Sequence, residues 1–468
     1  MPSISRLCAA ALFAAGLFGQ APSASAQSFS RLDPAELNGA ASEVSGESLK
    51  ADLTRLVRFG TRHTASDVKS DKRGIGAARR WVEAEFRTLA SACGGCLEIA
   101  LPEETFTSDR LPIPTKVVNV LAIQRGSSDP GRVIIISGHI DSRVSDVLDA
   151  KSDAPGANDD GSGTVAVIQA ARVLSKRKFP ATLVYAVLSG EEQGLFGGKI
   201  LADYAKAQGW RVEAVLNNDI IGNIEGSSGA VNATRVRVFA EGTKAIETPE
   251  QANRRRYNGG EVDSPARNLA RFLDRLAAER LPNLDVAMIY RTDRFGRGGD
   301  QVRMLEAGFP AVRLTEGAEN YDRQHQDIRY EDGRPYGDTL DGVDFPYLAK
   351  VTRLNVMAMA ALVLAPAPPE GVRIEGAVKP DTLVSWQAVP GAAGYRVWRR
   401  ETIAPNWEIS VDAPASATSL LLPGIVIDDW FFGVSAVSAD GYESPLVFPG
   451  PAGAFFEPAP KAAPPPAG

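Results

Sequence analysis

Histidine and cysteine, the side chains on which many metal sites depend, are scarce in this sequence. The chain has 468 residues but only three histidines and three cysteines. C-x-x-C occurs once, at Cys93 and Cys96, so the second pair that a four-cysteine zinc site needs is missing. In an exported protein we expect this pair to form a local disulfide; a redox motif and half of a zinc site are the alternatives.

Excess basic charge and long apolar runs are also missing. The net charge is -6, the isoelectric point is about 5.4, and no basic stripe occurs, so we expect no nucleic-acid partner. The apolar run at residues 7–18 is too short to cross a bilayer, and no later stretch predicts a membrane span. Hydrophobic residues at 44% and charged residues at 23% are typical of a globular protein.

The first 26 residues have the three parts of a secretory signal peptide. Arg6 supplies a positive start, the apolar run follows, and Ala24-Ser25-Ala26 is a small-residue cleavage site. We therefore expect cleavage before Gln27 and a periplasmic or secreted protein; an uncleaved N-terminal anchor is the alternative. Residues 27–46 are polar and small, which predicts a loose lead-in.

Apolar strand patterns alternate with helical patterns between residues 47 and 365. Helical spacing occurs at 47–59, 74–90, 163–178 (an amphipathic pattern), 195–208 and 340–364. Strand patterns occur at 117–124, 132–137, 181–188, 214–218, 236–240, 286–290 and 311–314. This alternation predicts an α/β domain with a mostly parallel central sheet between helices.

The composition changes after residue 365. The Pro-rich stretch A-P-A-P-P-E at 365–370 predicts a linker, and short alternating strands follow it. Residues 366–448 are therefore expected to form an all-β sandwich. This segment resembles a fibronectin type III domain around Trp386, Tyr395 and the stretch V-S-A-V-S-A-D-G-Y-E-S-P. Residues 449–468 are rich in Pro and Ala and are predicted to be disordered.

Candidate metal ligands recur near the ends of the predicted strands. They occur in five short segments: S-G-H-I-D at 137–141, N-D-D-G-S-G at 158–163, S-G-E-E-Q-G at 189–194, L-N-N-D at 216–219 and R-Q-H-Q at 323–326. Ligand sites of α/β sheets lie beyond the carboxyl ends of the strands. Successive units of the fold would thus bring these side chains to one edge, which is the geometry that a metal cluster needs.

Each segment also has an ordinary structural interpretation. Glu191 and Glu192 are acidic residues at the start of a helical pattern, where they complement the helix dipole. Asp159 or Asp160 would serve as a helix N-cap. A lone histidine is more often structural than a ligand, and this is what we expect of His63, which has no motif around it. The recurrence of such residues at successive strand ends favours the metal site.

In this order the five segments resemble the M28 family of zinc aminopeptidases, over roughly residues 47–365. The resemblance implies two zinc ions per chain, bound by five side chains: His139, Asp159, Glu192, Asp219 and His325. It further implies that Asp159 bridges the two ions and that the two histidines bind different ions. Glu191 would be the general base, and Asp141 would hydrogen-bond to His139 and fix its tautomer.

The function implied is an exported metallo-aminopeptidase that hydrolyses N-terminal residues from peptides. Glutaminyl cyclases share the fold but use one zinc ion, and a related carboxypeptidase would act at the other end of the peptide. Some relatives have lost ligands and are non-catalytic, but Glu191 and the five ligand positions are all retained here. The C-terminal domain either binds substrate or a surface ligand, or is a packing module.

Two positions depart from the family pattern. Residues 297–301 read R-G-G-D-Q where many members have S-D-H, and Gln324 stands where many have an oxyanion-stabilising tyrosine. Tyr321 is nearby, with an open role. Arg294 and Arg297 are candidates for holding substrate.

Overall fold

The computed structural model of the protein describes residues 35–456. The predicted signal peptide, the first part of the lead-in (residues 27–34) and residues 457–468 of the tail lie outside the described residues. Cys93 and Cys96 are joined by a disulfide at the end of the third helix.

In the described residues, α-helices and β-strands alternate through the first three quarters of the chain, and strands dominate the rest. The helices are α1 Ala35–Ser42, α2 Gly46–Val57, α3 Gly74–Ala92, α4 Gly161–Leu174, α5 Glu191–Gly194, α6 Phe196–Ala207, α7 Pro249–Asn258, α8 Pro265–Arg280, α9 Gln301–Glu306 and α10 Phe345–Leu364. The strands are β1 Glu98–Ala100, β2 Glu103–Ser108, β3 Leu111–Val118, β4 Val120–Gln124, β5 Asp129–His139, β6 Ala181–Leu188, β7 Arg211–Asn218, β8 Arg235–Phe239, β9 Asp285–Ile289, β10 Ala311–Glu316, β11 Arg329–Glu331, β12 Arg334–Tyr336, β13 Arg373–Glu375, β14 Thr382–Ser385, β15 Gly394–Glu401, β16 Ile409–Pro414, β17 Ser419–Leu422 and β18 Trp430–Val437.

A central sheet of eight strands, in the order β1-β4-β6-β5-β7-β10-β8-β9, organises the larger part of the molecule. Strands β6, β5, β7 and β10 form its parallel centre, and β8 pairs parallel with β9 at one edge. The remaining ladders, β1 with β4, β4 with β6 and β10 with β8, are antiparallel. The predicted mostly parallel α/β sheet is confirmed, and its four central strands all end at the same edge.

The helix predicted over 163–178 is present as α4, which spans Gly161–Leu174, but the prediction that it is amphipathic was wrong, because α4 is buried on nearly every side. It packs on β5 and β6 with one side and is covered by α2, α3 and α10 on the other. Helix α10 is also interior: it is long and apolar enough to cross a membrane, yet most of it is buried in the protein.

Three local expectations differ from the structure. The lead-in was expected to be loose, but α1 buries Leu37 against α10. The strand predicted over 117–124 breaks at Asn119, whose side-chain amide donates to Gly197 O at 2.9 Å, so its first two residues belong to the β2–β3 hairpin. The tail was expected to be disordered from residue 449, but Phe455 packs into the C-terminal core.

The C-terminal strands form two three-stranded antiparallel sheets, β13-β14-β17 and β16-β15-β18. They share an apolar core in which Trp386 packs on Tyr395, with ring centroids 5.2 Å apart. The hydroxyl of Tyr395 accepts a hydrogen bond from Val389 N at 2.7 Å, so this buried phenol is satisfied. The predicted all-β unit is present; its assignment as a fibronectin type III domain stays a prediction.

A buried ion-pair cluster joins these sheets to helix α8. Arg400 of β15 donates to both carboxylate oxygens of Asp263, at 2.9 and 2.8 Å. Arg271 of α8 donates to the same carboxylate at 2.8 Å. All three side chains are at most 5% exposed, so the two parts of the chain are held by charges that water does not screen.

Candidate metal centre

Most residues of the predicted site lie at the carboxyl ends of the parallel central strands. His139 is the last residue of β5, and Asp219 directly follows β7. Glu191 and Glu192 begin α5, three residues after the end of β6, while His325 lies on the loop after β10. Because these strands are parallel neighbours, their carboxyl ends lie side by side and the side chains converge.

The main chain fixes the tautomer of His139. Its Nδ1 lies 3.1 Å from the carbonyl oxygen of Asp141 and 3.5 Å from a carboxylate oxygen of the same residue. A carbonyl only accepts hydrogen bonds, so the ring proton is on Nδ1 and the Nε2 lone pair faces the site. Both contacts come from Asp141, the residue predicted to fix this tautomer, and the contact of its carbonyl oxygen is the shorter one.

The carboxylate of Asp141 instead holds the neighbouring turn. It accepts hydrogen bonds from Glu191 N at 3.3 Å and from Glu192 N at 3.1 Å. This acceptor fixes the backbone of both glutamates at the end of β6. Gly190 before them has a left-handed backbone (φ 77°), and a Cβ there would lie 3.1 Å from Val117, so glycine suits this turn.

The two adjacent aspartates of the N-D-D turn have different roles. Asp160 is the N-cap of α4: it accepts from Gly163 N and from His139 N, both at 2.9 Å. Asp159 points to the histidines, with one oxygen 3.3 Å from His139 Nε2 and the other 2.9 Å from His325 Nε2. Asp338 holds this turn by accepting from Asp159 N at 2.7 Å.

The candidate ligand atoms fall into two adjoining triads, in each of which all ligand atoms lie within 4.8 Å of one another. The first is His139, Glu191 and Asp219; the second is Asp159, Glu192 and His325. Asp159 reaches the histidines of both triads, which is the position that a bridging carboxylate requires. The structure therefore brings all five predicted ligands and Glu191 together; their individual roles stay predictions.

The electrostatics of the site favour a bound cation. Burial alone would lower the pKa of His325, but Glu192 and Asp159 beside it raise that pKa to about 9. The pKa of Asp219 is lowered to about 2, because Arg313 and His139 outweigh the effect of burial. The raised pKa of His325 shows that the carboxylates around it create a negative potential, which favours a cation there, and the lowered pKa of Asp219 keeps that carboxylate ionised and able to bind one.

The unsatisfied Nε2 of His139 shows that the donor set fits zinc. This atom is buried and no donor of the described residues reaches it, and the buried Oε1 of Glu192 has only His325 Nε2, another predicted ligand atom, 3.0 Å away. Imidazole nitrogen and carboxylate oxygen are the ligands that catalytic zinc sites use. An unsatisfied lone pair on such an atom is costly in a protein interior unless a cation accepts it.

Sequence reasoning missed two arginines at the site. Arg143 donates to Glu192 at 2.9 Å and lies with one nitrogen 2.7 Å from His325 Nδ1. The fully buried Arg313 lies 2.9 Å from Asp219. Arg143 and His325 are 182 residues apart in sequence; the only early signal of Arg143 was its place two residues after the G-H-I-D motif.

Sequence reasoning also missed that the loop around His63 supports the metal centre. Buried Arg62 donates to the carbonyls of Ile140 (2.6 Å), Gly156 (2.9 Å) and Pro155, and so ties β5 to the aspartate turn. The Thr64 hydroxyl donates to Gln193 Oε1 and lies 3.3 Å from the carboxylate of Asp141. His63 is buried and contacts Val147 O at 2.8 Å, as expected of a structural histidine. In the sequence, the run G-T-R-H-T was the available sign of this loop.

Gln324, one of the residues that depart from the family pattern, lies directly beside the metal centre, with Arg297 next to it. Gln324 donates to Asp159 at 2.9 Å and lies 3.4 Å from Arg297. Tyr321 is 58% exposed on the same loop. Arg294 is buried against Asp293 and Glu319.

Non-glycine residues with left-handed backbone cluster here. Three of the five such residues in the described chain, Leu195, Ile220 and His325, adjoin the site, with φ of 57°, 63° and 56°. Backbone strain of this kind persists where the surroundings enforce it and is concentrated at functional sites.

Comparisons with known proteins agree with this geometry. The model of Peptidase family M28 matches residues 119–343. A probable zinc metalloprotease of Pyrenophora teres f. teres is 42% identical over 423 residues, covering 89% of this chain and 87% of that protein. Another, from Leptosphaeria maculans, is 42% identical over 420 residues, covering 89% of this chain and 97% of that protein.

Two solved structures share the fold. The LapA aminopeptidase of Legionella pneumophila has a TM-score of 0.52 and 18% identity, covering 72% of this chain and 77% of that one. LapB of the same organism has a TM-score of 0.52 and 18% identity, covering 72% and 78%. With the motifs, the two triads and the long matches to zinc metalloproteases, the chain belongs to peptidase family M28 and is a zinc metallopeptidase.

Proposed function

We propose that this protein is an exported aminopeptidase that uses two zinc ions and hydrolyses N-terminal residues from peptides. The observation that carries the proposal is the pair of adjoining triads with Asp159 between them. Two ions that share a carboxylate are typical of aminopeptidase sites. The order of the ligand-bearing segments, which resembles the zinc aminopeptidases, supports action at the free N-terminus.

His139 and Asp219 would hold one ion, His325 and Glu192 the other, and Asp159 both. Zinc in such a site polarises the substrate carbonyl and makes water a nucleophile near neutral pH. Glu191 is the general base of the proposal: it takes the proton of the attacking water and returns it to the leaving amine.

The surroundings of Glu191 suit proton transfer. Burial raises its pKa well above the ordinary glutamate value, and Asp219, Glu192 and Asp300 add to this against the opposing effect of His139. Glu191 is also more exposed than its neighbour Glu192. A carboxylate with a raised pKa that is not engaged as a ligand accepts a proton more readily than one that is.

Export rests on the signal peptide proposed for residues 1–26, which would also supply the oxidising environment that a disulfide needs. We propose the C-terminal sheets as a packing module, because the buried cluster of Arg400, Asp263 and Arg271 fixes them on α8.

The test is turnover of a peptide panel by the zinc-loaded protein, with the products identified by mass spectrometry. We expect release of the first residue from peptides with a free N-terminus and none from N-acetylated versions. Release of the last residue instead would establish a carboxypeptidase, and conversion of N-terminal glutamine to pyroglutamate would establish a cyclase.

A matched pair of variants tests the base. Glu191→Gln should abolish turnover and still bind zinc, because the five ligands remain. Glu306→Gln, which changes an exposed glutamate of α9, should keep full activity. Full turnover by Glu191→Gln would show that another group moves the proton.

A further inference from the structure

Four arginines form a wall beside the metal centre: Arg237, Arg294, Arg297 and Arg313. One carboxylate, that of Glu319, pairs with three of them. Glu319 lies 2.5 Å from Arg237, 3.4 Å from Arg294 and 3.3 Å from Arg297. The Glu319 side chain is only 3% exposed. One negative charge therefore faces three positive charges.

The next carboxylates along the wall do not restore the balance. Asp293 pairs with Arg294 at 3.1 Å and with Arg313 at 3.4 Å, and Arg313 also pairs with Asp219. Four guanidinium groups thus face three carboxylates: Glu319, Asp293 and Asp219. Asp219 is itself a predicted metal ligand, so the wall keeps at least one positive charge in excess.

Arg297 is the most exposed member of this wall. Its side chain is 33% exposed, against 21% for Arg237, 9% for Arg294 and none for Arg313. One of its terminal nitrogens lies 3.3 Å from Glu319 and 3.4 Å from Gln324. Its other guanidinium donors have no partner within residues 35–456.

Arg297 is also close to the reacting centre. Gln324, which it contacts, donates directly to Asp159 at 2.9 Å. A group bound to the free side of this guanidinium would therefore lie close to a substrate bound at the predicted metal centre. Arginine presents paired donors that match a carboxylate.

We propose that Arg297 binds a carboxylate of the peptide substrate and so selects for anionic peptides. The inference rests on the proposed peptidase function and adds its substrate class. The carboxylate comes either from the free C-terminus of a short peptide or from an acidic side chain next to the cleaved bond. Both sources present the same group to the guanidinium.

Three substrates separate the sources: Leu-Gly, Leu-Gly-amide and Leu-Glu-amide. Each is assayed with wild-type protein, Arg297→Gln and Arg297→Lys. A charge-assisted hydrogen bond predicts that Arg297→Gln weakens use of the anionic substrate about 10- to 100-fold, mainly through KM. Arg297→Lys should retain part of the preference, and Leu-Gly-amide should be used equally by all three proteins.

The control is Arg291→Gln, an exposed arginine of the same loop whose guanidinium lies 5.4 Å from the ring centroid of Phe295. It should leave all three substrates unaffected. A loss confined to Leu-Gly assigns the terminal carboxylate, and a loss confined to Leu-Glu-amide assigns the side chain. Equal effects on all three substrates, or no effect, overturn the proposal.

Calorimetric binding to the zinc-loaded Glu191→Gln protein separates this inference from the proposed function. If no peptide is hydrolysed by the wild type, the peptidase proposal fails, but carboxylate recognition remains measurable. Binding of Leu-Gly or Leu-Glu-amide should be tighter than that of Leu-Gly-amide, and Arg297→Gln should abolish the difference. Equal binding of all three overturns the inference.

Discussion

The buried pair of Arg400 and Asp263 should contribute strongly to stability, and Arg400→Met tests this. Breaking a buried ion pair by removing one partner costs about 3–5 kcal/mol. After the substitution Asp263 still has Arg271 at 2.8 Å, so its charge is not left alone. We therefore expect a loss at the lower end, about 3 kcal/mol.

Removing the shared carboxylate of Asp263 should lower the free energy of unfolding further. Asp263→Ala leaves two buried guanidinium groups without their anion, since Arg400 is 1% and Arg271 5% exposed at the side chain. The expected loss is about 5 kcal/mol, the upper end of the same range. The matched control is Arg125→Met, which breaks a pair with Glu98 that is half exposed and should cost less than about 1 kcal/mol.

Urea denaturation measures these differences. Four of the six tryptophans lie after residue 365, so fluorescence reports mainly on the C-terminal sheets, while far-ultraviolet circular dichroism reports on the whole chain. Asp263→Ala should unfold at the lowest urea concentration, then Arg400→Met, then the control. If Arg400→Met costs no more than Arg125→Met, the reasoning about buried charge at this junction is refuted.

Three further predictions concern other parts of the molecule. Burial raises the pKa of Glu241 to about 7, so the unfolded chain loses this proton at a lower pH than the folded protein does, and the free energy of unfolding falls between pH 4.5 and 7. Glu241→Gln should therefore stabilise the protein at pH 8, by up to about 3 kcal/mol. An equal gain at pH 4 in thermal unfolding would contradict this. Thr64→Val removes a hydroxyl that donates to Gln193 and contacts Asp141, and it should lower zinc affinity or activity about 10-fold or more. Thr88→Val on the exposed face of α3 should not, and equal zinc affinities and rates would refute the supporting role of Thr64. Arg62→Met leaves three carbonyl acceptors without their donor and should destabilise the fold by about 3 kcal/mol or more in urea denaturation, with a loss under about 1 kcal/mol counting against it.

The centre of the fold could be predicted because its signals are local. Strands β5, β6 and β7 are apolar runs, and the chemistry-bearing residues stand directly at their ends. Parallel pairing of such strands then places His139, Glu191 and Asp219 together without further information. The N-D-D turn was ambiguous from sequence, and the hydrogen bonds of Asp160 and the histidine contacts of Asp159 resolve it.

What could not be predicted depends on contacts between distant parts of the chain. Nothing near Arg313 in sequence indicates that it pairs with Asp219, and Arg143 meets His325 only in the folded protein. Helix α4 has an ordinary helical pattern, but its burial depends on α10, nearly 200 residues later. The division at Asn119 likewise depends on a hydrogen bond to Gly197.

The number of zinc ions bound per chain tests the central claim, a two-metal site, most directly. Native mass spectrometry of the zinc-loaded protein should show two ions per chain, and His325→Ala should retain one, since His139 and Asp219 lie in the other triad. A wild-type protein that binds a single zinc ion under saturating conditions would contradict the account.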